Sequence, residues 1–145
     1  MRAISSLVTS IAIAALAACS GMDSGAGMSS GGSGGLALSG AQEVPPVTTS
    51  GAGTGSIAVA PDGAVSGSVT TTGMSGTMAH IHMAPAGKNG PVIIPLTKSG
   101  DSTWTVPPGA KLTPEQLKSY QAGDLYVNVH TDANKGGEVR AQLKP

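Results

Sequence analysis

The chain is predicted to be all-β, an antiparallel β-sandwich of Greek-key type with one short helix. Three observations predict it. From Leu36 onward, short β-rich runs recur between Gly, Pro and Asp turn signals, at the spacing of a sandwich or barrel. Within the clearest of these runs apolar residues alternate with polar ones, as on a strand with one buried face. One helix-start signature stands among them, Thr113-Pro114-Glu115-Gln116. With no Phe, one Trp and two Tyr, the core must be built from Val, Ile, Leu, Ala and Met, and Trp104 is its expected large anchor.

The elements follow in chain order. Leu36 to Ala41 reads as a first strand, halted before Pro45-Pro46. Gly55 to Ala60 and Ala64 to Thr72 flank Pro61-Asp62-Gly63 and should form a hairpin. Met78 to Met83 is the next strand, followed by a loop at Pro85 to Pro91. Val92 to Thr97 and Thr103 to Val106 supply two more, joined through Ser99-Gly100-Asp101. Thr113 is an N-cap, Pro114 fits the first helical position and Gln116 completes a capping box, so Pro114 to Tyr120 should be helical until Gly123 stops it. Leu125 to Thr131 and Glu138 to Leu143 close the domain as a hairpin across Asp132 to Gly137.

The 145-residue length suits one domain, and the N-terminal segment is not part of it. Met1-Arg2-Ala3-Ile4 is a positive leader, and Leu7 to Ala18 is an apolar run too short to cross a ~30 Å hydrocarbon core comfortably. Residues 1–18 therefore read as a signal peptide. The run ends in Leu16-Ala17-Ala18-Cys19, which resembles the lipobox of bacterial lipoproteins and implies acylation of Cys19, palmitate included, at the membrane. Cys19 is the sole cysteine, so the domain folds without an intrachain disulfide although the exported compartment is oxidising. Ser20 to Gly35 is nearly all Gly, Ser, Ala and Met, too poor in apolar surface to order itself, and residues 19–35 read as the anchor and its tether. The folded domain is residues 36–145. Ser20 rather than Asp after the cysteine points to the outer membrane of a Gram-negative host, facing the periplasm or the exterior. Net charge is zero, with no basic field to attract nucleic acid.

All three histidines lie in two strands: His80 and His82 in Met78 to Met83, and His130 in Leu125 to Thr131. By alternation Ala79, Ile81 and Met83 face the core, with Leu125, Val127 and Val129. Met78, His80 and His82 then share the outward face, with Tyr126, Asn128 and His130. A His-x-His pair sets two imidazoles within roughly 7 Å on one face, and a third from another strand completes a metal site. Three neutral imidazoles suit copper or, less well, zinc, and leave an open coordination position. The plain alternative is three solvent-facing histidines. A thioether would favour Cu(I); Met78 is on the right face, whereas Met83 should pack in the core. No Gly-x-Ser-x-Gly elbow or phosphate loop occurs, which leaves hydrolase and nucleotide readings without support.

Several stretches together resemble the chordin-type (CHRD) domain. They are Leu38-Ser39-Gly40-Ala41-Gln42-Glu43-Val44-Pro45-Pro46, Ala79-His80-Ile81-His82, Gly87 to Pro91, Val127-Asn128-Val129-His130-Thr131, and Gly136-Gly137-Glu138-Val139-Arg140-Ala141-Gln142-Leu143. The resemblance spans Leu36 to the C-terminus and implies a β-sandwich without implying an activity. The order His80, His82, His130, Arg140 is also similar, more distantly, to copper/zinc superoxide dismutase. That likeness implies an Ig-like or superoxide-dismutase-like sandwich, copper held by the three histidines, and Arg140 guiding an anion to the open position. Its ordinary role would be a surface salt bridge. A bridging fourth histidine, a zinc-ligand set and a disulfide pair are all missing, so the likeness extends to a copper-only site at most. The competing expectation is a module without enzymatic activity, binding a protein or an envelope polymer or serving the envelope structurally.

Overall fold

The computed structural model describes residues 35–145. The expected signal segment, Cys19 and the expected Gly/Ser tether up to residue 34 lie outside the described residues, whereas Gly35, read as the tether's last residue, pairs with Ser56 as the first residue of a strand.

Nine strands and one helix make up the fold: β1 (Gly35–Ser39), β2 (Ala52–Val59), β3 (Val65–Thr72), β4 (Met78–Met83), β5 (Val92–Pro95), β6 (Thr97–Lys98), β7 (Thr103–Thr105), α1 (Pro114–Gln121), β8 (Leu125–His130) and β9 (Val139–Gln142). The strands form one sheet in the order β5-β4-β8-β9-β1-β2-β3-β7-β6, and the pairings are antiparallel. The edge strands β5 and β6 are separated in the chain by Leu96 alone. One segment therefore supplies both edges, and the sheet nearly closes on itself. Leu96 helps the closure by donating its N–H to Ala79 O at 2.9 Å. The all-β expectation holds, with one refinement: the sandwich-like halves belong to a single continuous sheet. The strand expected over Val92 to Thr97 is broken for that reason, because the chain leaves β4 and takes up pairing with β7.

Local chemistry explains the best-defined elements. Asp62 Oδ1 accepts from Ala64 N–H in the β2–β3 turn at 3.1 Å. At the helix, Thr113 Oγ1 accepts from Gln116 N–H at 3.2 Å while Gln116 Oε1 accepts from Thr113 N–H at 2.9 Å. Such a cap contributes about 1 kcal/mol. The first strand stops at Ser39, two residues early, because Gly40–Gln42 turns into one 3₁₀ turn.

The inward faces share one core that includes Leu38, Ile57, Val69, Ile81, Trp104 and Val127. Burying each aliphatic side chain is worth roughly 1.5–3 kcal/mol, which lets a core lacking Phe suffice. Met83 packs against this core, and Met78 is exposed, as alternation requires.

The outward face differs from expectation. On β8 every residue is buried, and Tyr126, Asn128, His130, Arg140 and His82 all lie beneath the surface. Period two assigns the face correctly, but connecting segments cover it. Gln142 Nε2 donates to Ala84 O and Gly123 O, both at 2.9 Å. Asn89 Nδ2 donates to Val44 O at 2.7 Å, tying the β4–β5 loop to the segment after β1. Among the described residues no helix is long and apolar enough to cross a membrane.

Candidate metal centre

β4 and β8 are direct neighbours, with Met78 opposite His130, His80 opposite Asn128 and His82 opposite Tyr126. Cross-strand partners share a face, so this register brings the three histidines together. One ring nitrogen from each of His80, His82 and His130 lies within 4.8 Å of the others. Ring centroids are 4.8 Å apart for His80 and His130, 5.6 Å for His80 and His82, and 6.1 Å for His82 and His130.

Backbone carbonyls set which nitrogens are free to bind. His82 Nδ1 stands 2.9 Å from Gly90 O, and His130 Nδ1 stands 2.9 Å from Lys135 O. A carbonyl only accepts, so each Nδ1 carries the hydrogen and each Nε2 carries the lone pair. His82 Nε2 is buried and has no hydrogen-bond partner among the described residues. His130 Nε2 is 3.0 Å from His80 Nδ1, and its lone pair makes His80 Nδ1–H the donor. This is the outer support that metal-binding histidines ordinarily have, a second ring nitrogen tied to a carbonyl. An ion held by these three residues would replace the His80–His130 hydrogen bond, and His80 would then carry its proton on Nε2.

The loops that provide these carbonyls are held closely. Gly90 packs so tightly that a Cβ there would strike Met83 O. Its N–H donates to Tyr126 Oη at 3.3 Å. The Tyr126 ring stacks on His82, with centroids 4.7 Å apart and planes 4° from parallel. Arg140 lies on the same tyrosine, its guanidinium carbon 3.4 Å from the ring centroid.

Arg140 is 1% exposed. It donates to Lys88 O at 2.9 Å, Asn89 Oδ1 at 3.4 Å, Pro85 O at 3.4 Å and Gln142 Oε1 at 3.2 Å. It makes no surface salt bridge; among the described residues the one ion pair joins Lys111 to Asp62. The reason is the cover over β9, which turns the guanidinium into a clamp on the loop that carries Gly90. Glu43 lies close enough for its charge to be felt by Arg140, and it is 4% exposed. Burial pushes the Glu43 carboxyl up to about 6, opposed by Arg140 and by hydrogen bonding from Asn128. A cavity of about 420 Å³, whose lining includes Val44, Ala86, Glu43 and Arg140, lies against this pair.

Burial likewise holds His80 below the ordinary histidine value, with His130 and His82 adding to the effect. His82 is lowered chiefly by burial, then by His130 and Arg140, against the opposing Gly90 carbonyl and Asn128. Both rings are therefore neutral at pH 7, the form that binds metal. Sequence reasoning placed Tyr126 and Asn128 on the correct face without assigning them to the site. It missed Glu43, Gly90 and Lys135, two of which act through backbone carbonyls that any residue type offers.

The geometry defines a class: an all-β domain in which two neighbouring strands hold three imidazoles beside a buried polar layer. The chain belongs to the CHRD domain family, whose model matches residues 35–143. No match was found among curated proteins or among solved structures.

Proposed function

We propose that this protein is a copper-binding CHRD domain, held at a bacterial membrane, the outer membrane in a Gram-negative host, through a lipidated Cys19. One observation carries the metal reading: Gly90 O and Lys135 O lock two histidines with Nε2 lone pairs directed into the same cluster. The His82 lone pair is buried without a partner among the described residues, which costs about 1–3 kcal/mol, and an ion repays that cost. Copper is favoured over zinc because three imidazoles suit it, and because the Met78 thioether stands on the same sheet face directly opposite His130.

Redox turnover of an oxygen anion is a further step that the ligand set does not require. Arg140 spends its guanidinium donors on Pro85, Lys88, Asn89 and Gln142, which favours a loop-holding role over anion guidance. The protein is thus read as a copper carrier or buffer in the envelope. Titration of the purified protein with Cu(I), Cu(II) and Zn(II) against competing chelators tests it. Copper is expected to bind one to one and more tightly than zinc. Ala at His80, His82 or His130 should each cost more than the 10–100-fold typical of outer-shell changes. Equal copper affinity in the triple variant leaves the protein- or polymer-binding module as the better reading.

A further inference from the structure

We infer that Asn128 is the fourth polar group of this site: its Oδ1 accepts a hydrogen bond from a water bound to the ion and so favours Cu(II) over Cu(I). The inference rests on the metal-binding reading above.

Asn128 lies between His80 on β4 and Arg140 on β9, directly paired with both, and is 1% exposed. Two acceptors fix the orientation of its amide. Nδ2 donates to Gly136 O at 3.3 Å, and the Glu43 carboxylate lies on the same side, where a Cβ on Gly137 would meet both Glu43 Oε1 and Asn128 Nδ2. Turning the amide over would set Oδ1 against both acceptors. The oxygen therefore points the other way, where it has no hydrogen-bond partner among the described residues. Asn128 stands directly opposite His80 and two residues before His130, on the sheet face that carries the three histidines.

His82 Nε2 also has no partner among the described residues, and its lone pair is fixed by the Gly90 carbonyl. Two buried acceptors thus share one face of the sheet. Neither can satisfy the other, and each left alone costs about 1–3 kcal/mol. A divalent ion on Nε2 carrying a water that donates to Oδ1 satisfies both at once. Cu(II), the harder ion, holds such a water well; Cu(I), the softer, is content with three imidazoles. A water alone, donating to both atoms, is the competing explanation, and the experiment separates the two.

The full-length protein, in detergent, is titrated with Cu(I) and Cu(II) against chelators as wild type, N128L and N128S, with circular dichroism and melting as the check on folding. N128S keeps a small polar side chain should N128L fail to fold. Each variant is expected to lose about tenfold in Cu(II) affinity while Cu(I) affinity changes less than about threefold. A tenfold selective loss raises the reduction potential by about 59 mV for one electron. Parallel losses for both oxidation states would make Asn128 a merely structural residue and overturn the inference. Unchanged affinities with a lowered melting temperature would show that a water alone occupies the gap, and also overturn it. If wild type binds neither ion, the metal reading itself fails.

Discussion

Tyr126 holds His82 in two independent ways: its ring lies 4.7 Å from the imidazole and nearly parallel to it, and its hydroxyl accepts from the N–H of Gly90, whose carbonyl fixes His82 Nδ1. The two can be separated. Tyr126→Phe keeps the stack and removes the acceptor, so it should cost about 0.5–1.5 kcal/mol of stability and weaken copper binding severalfold. Tyr126→Ala also opens a cavity beneath Arg140 and should cost about 3–5 kcal/mol. Urea unfolding with copper titration checks both, and a Tyr126→Phe protein identical to wild type in both measurements would remove Tyr126 from the support of the site.

Glu43 gives a pH signature of opposite sign to ordinary carboxylates. Its folded-state pKa, about 6, lies above the ordinary carboxyl value of 4.5, so the folded protein binds more protons between those values. Its contribution is fully present below about pH 4.5 and is lost as pH rises through 6. The amount should be about 1 kcal/mol, reduced by water in the adjoining cavity. His80 and His82, whose values are lowered, act in the other direction: their stabilisation is lost as pH falls below the ordinary histidine range. The difference between wild type and Glu43→Gln isolates the carboxyl, because the histidine contribution is common to both. Denaturant midpoints from pH 4 to 7 should show Glu43→Gln gaining on wild type as pH rises; a constant difference would place the Glu43 pKa outside that range.

Cys19 is the one thiol available for acylation at the predicted cleavage site. Cys19→Ala should abolish labelling by radioactive palmitate and move the protein from the membrane to the soluble fraction or leave the precursor uncut. Membrane fractionation and intact mass check it. A wild-type protein without fatty acid would end the lipoprotein reading while leaving the metal site untouched.

How much of this was legible in the sequence depends on which interaction sets each feature. The His-x-His alternation around Ile81 and the matching polar positions of Tyr126, Asn128 and His130 are local, and they placed the cluster on one face. That these residues would be buried was not legible. The cover comes from segments far away in sequence, Val44 bonded to Asn89 and Arg140 bonded to Lys88, and no local period encodes such contacts. The same limit hid the carbonyl partners, since Gly90 and Lys135 act through backbone oxygens. Glu43 was visible only as part of the Gln-Glu-Val-Pro-Pro stretch, with nothing local to show that it would be buried near Arg140.

The β8–β9 loop is the remaining support of the cluster, and Gly137 is where it is most sensitive. This loop sends Lys135 O to His130 and Gly136 O to Asn128, so its path decides the orientation of two groups at the site. Gly137 has φ +129°, a region that residues with a Cβ rarely occupy. A Cβ there would also run into Glu43 Oε1 and Asn128 Nδ2, which leave it no space. Strain of this kind costs of order 1–3 kcal/mol, and relief requires the loop to shift. Gly137→Ala should therefore lower stability by about that amount and weaken copper binding as well, because the shift disturbs the carbonyls that hold His130 and Asn128. Gly136→Ala is the control: a Cβ at that position meets nothing within 4 Å, so its effect on both measurements should be small. Melting curves and copper titrations of the two variants side by side check the argument, and it fails if Gly136→Ala proves as damaging as Gly137→Ala.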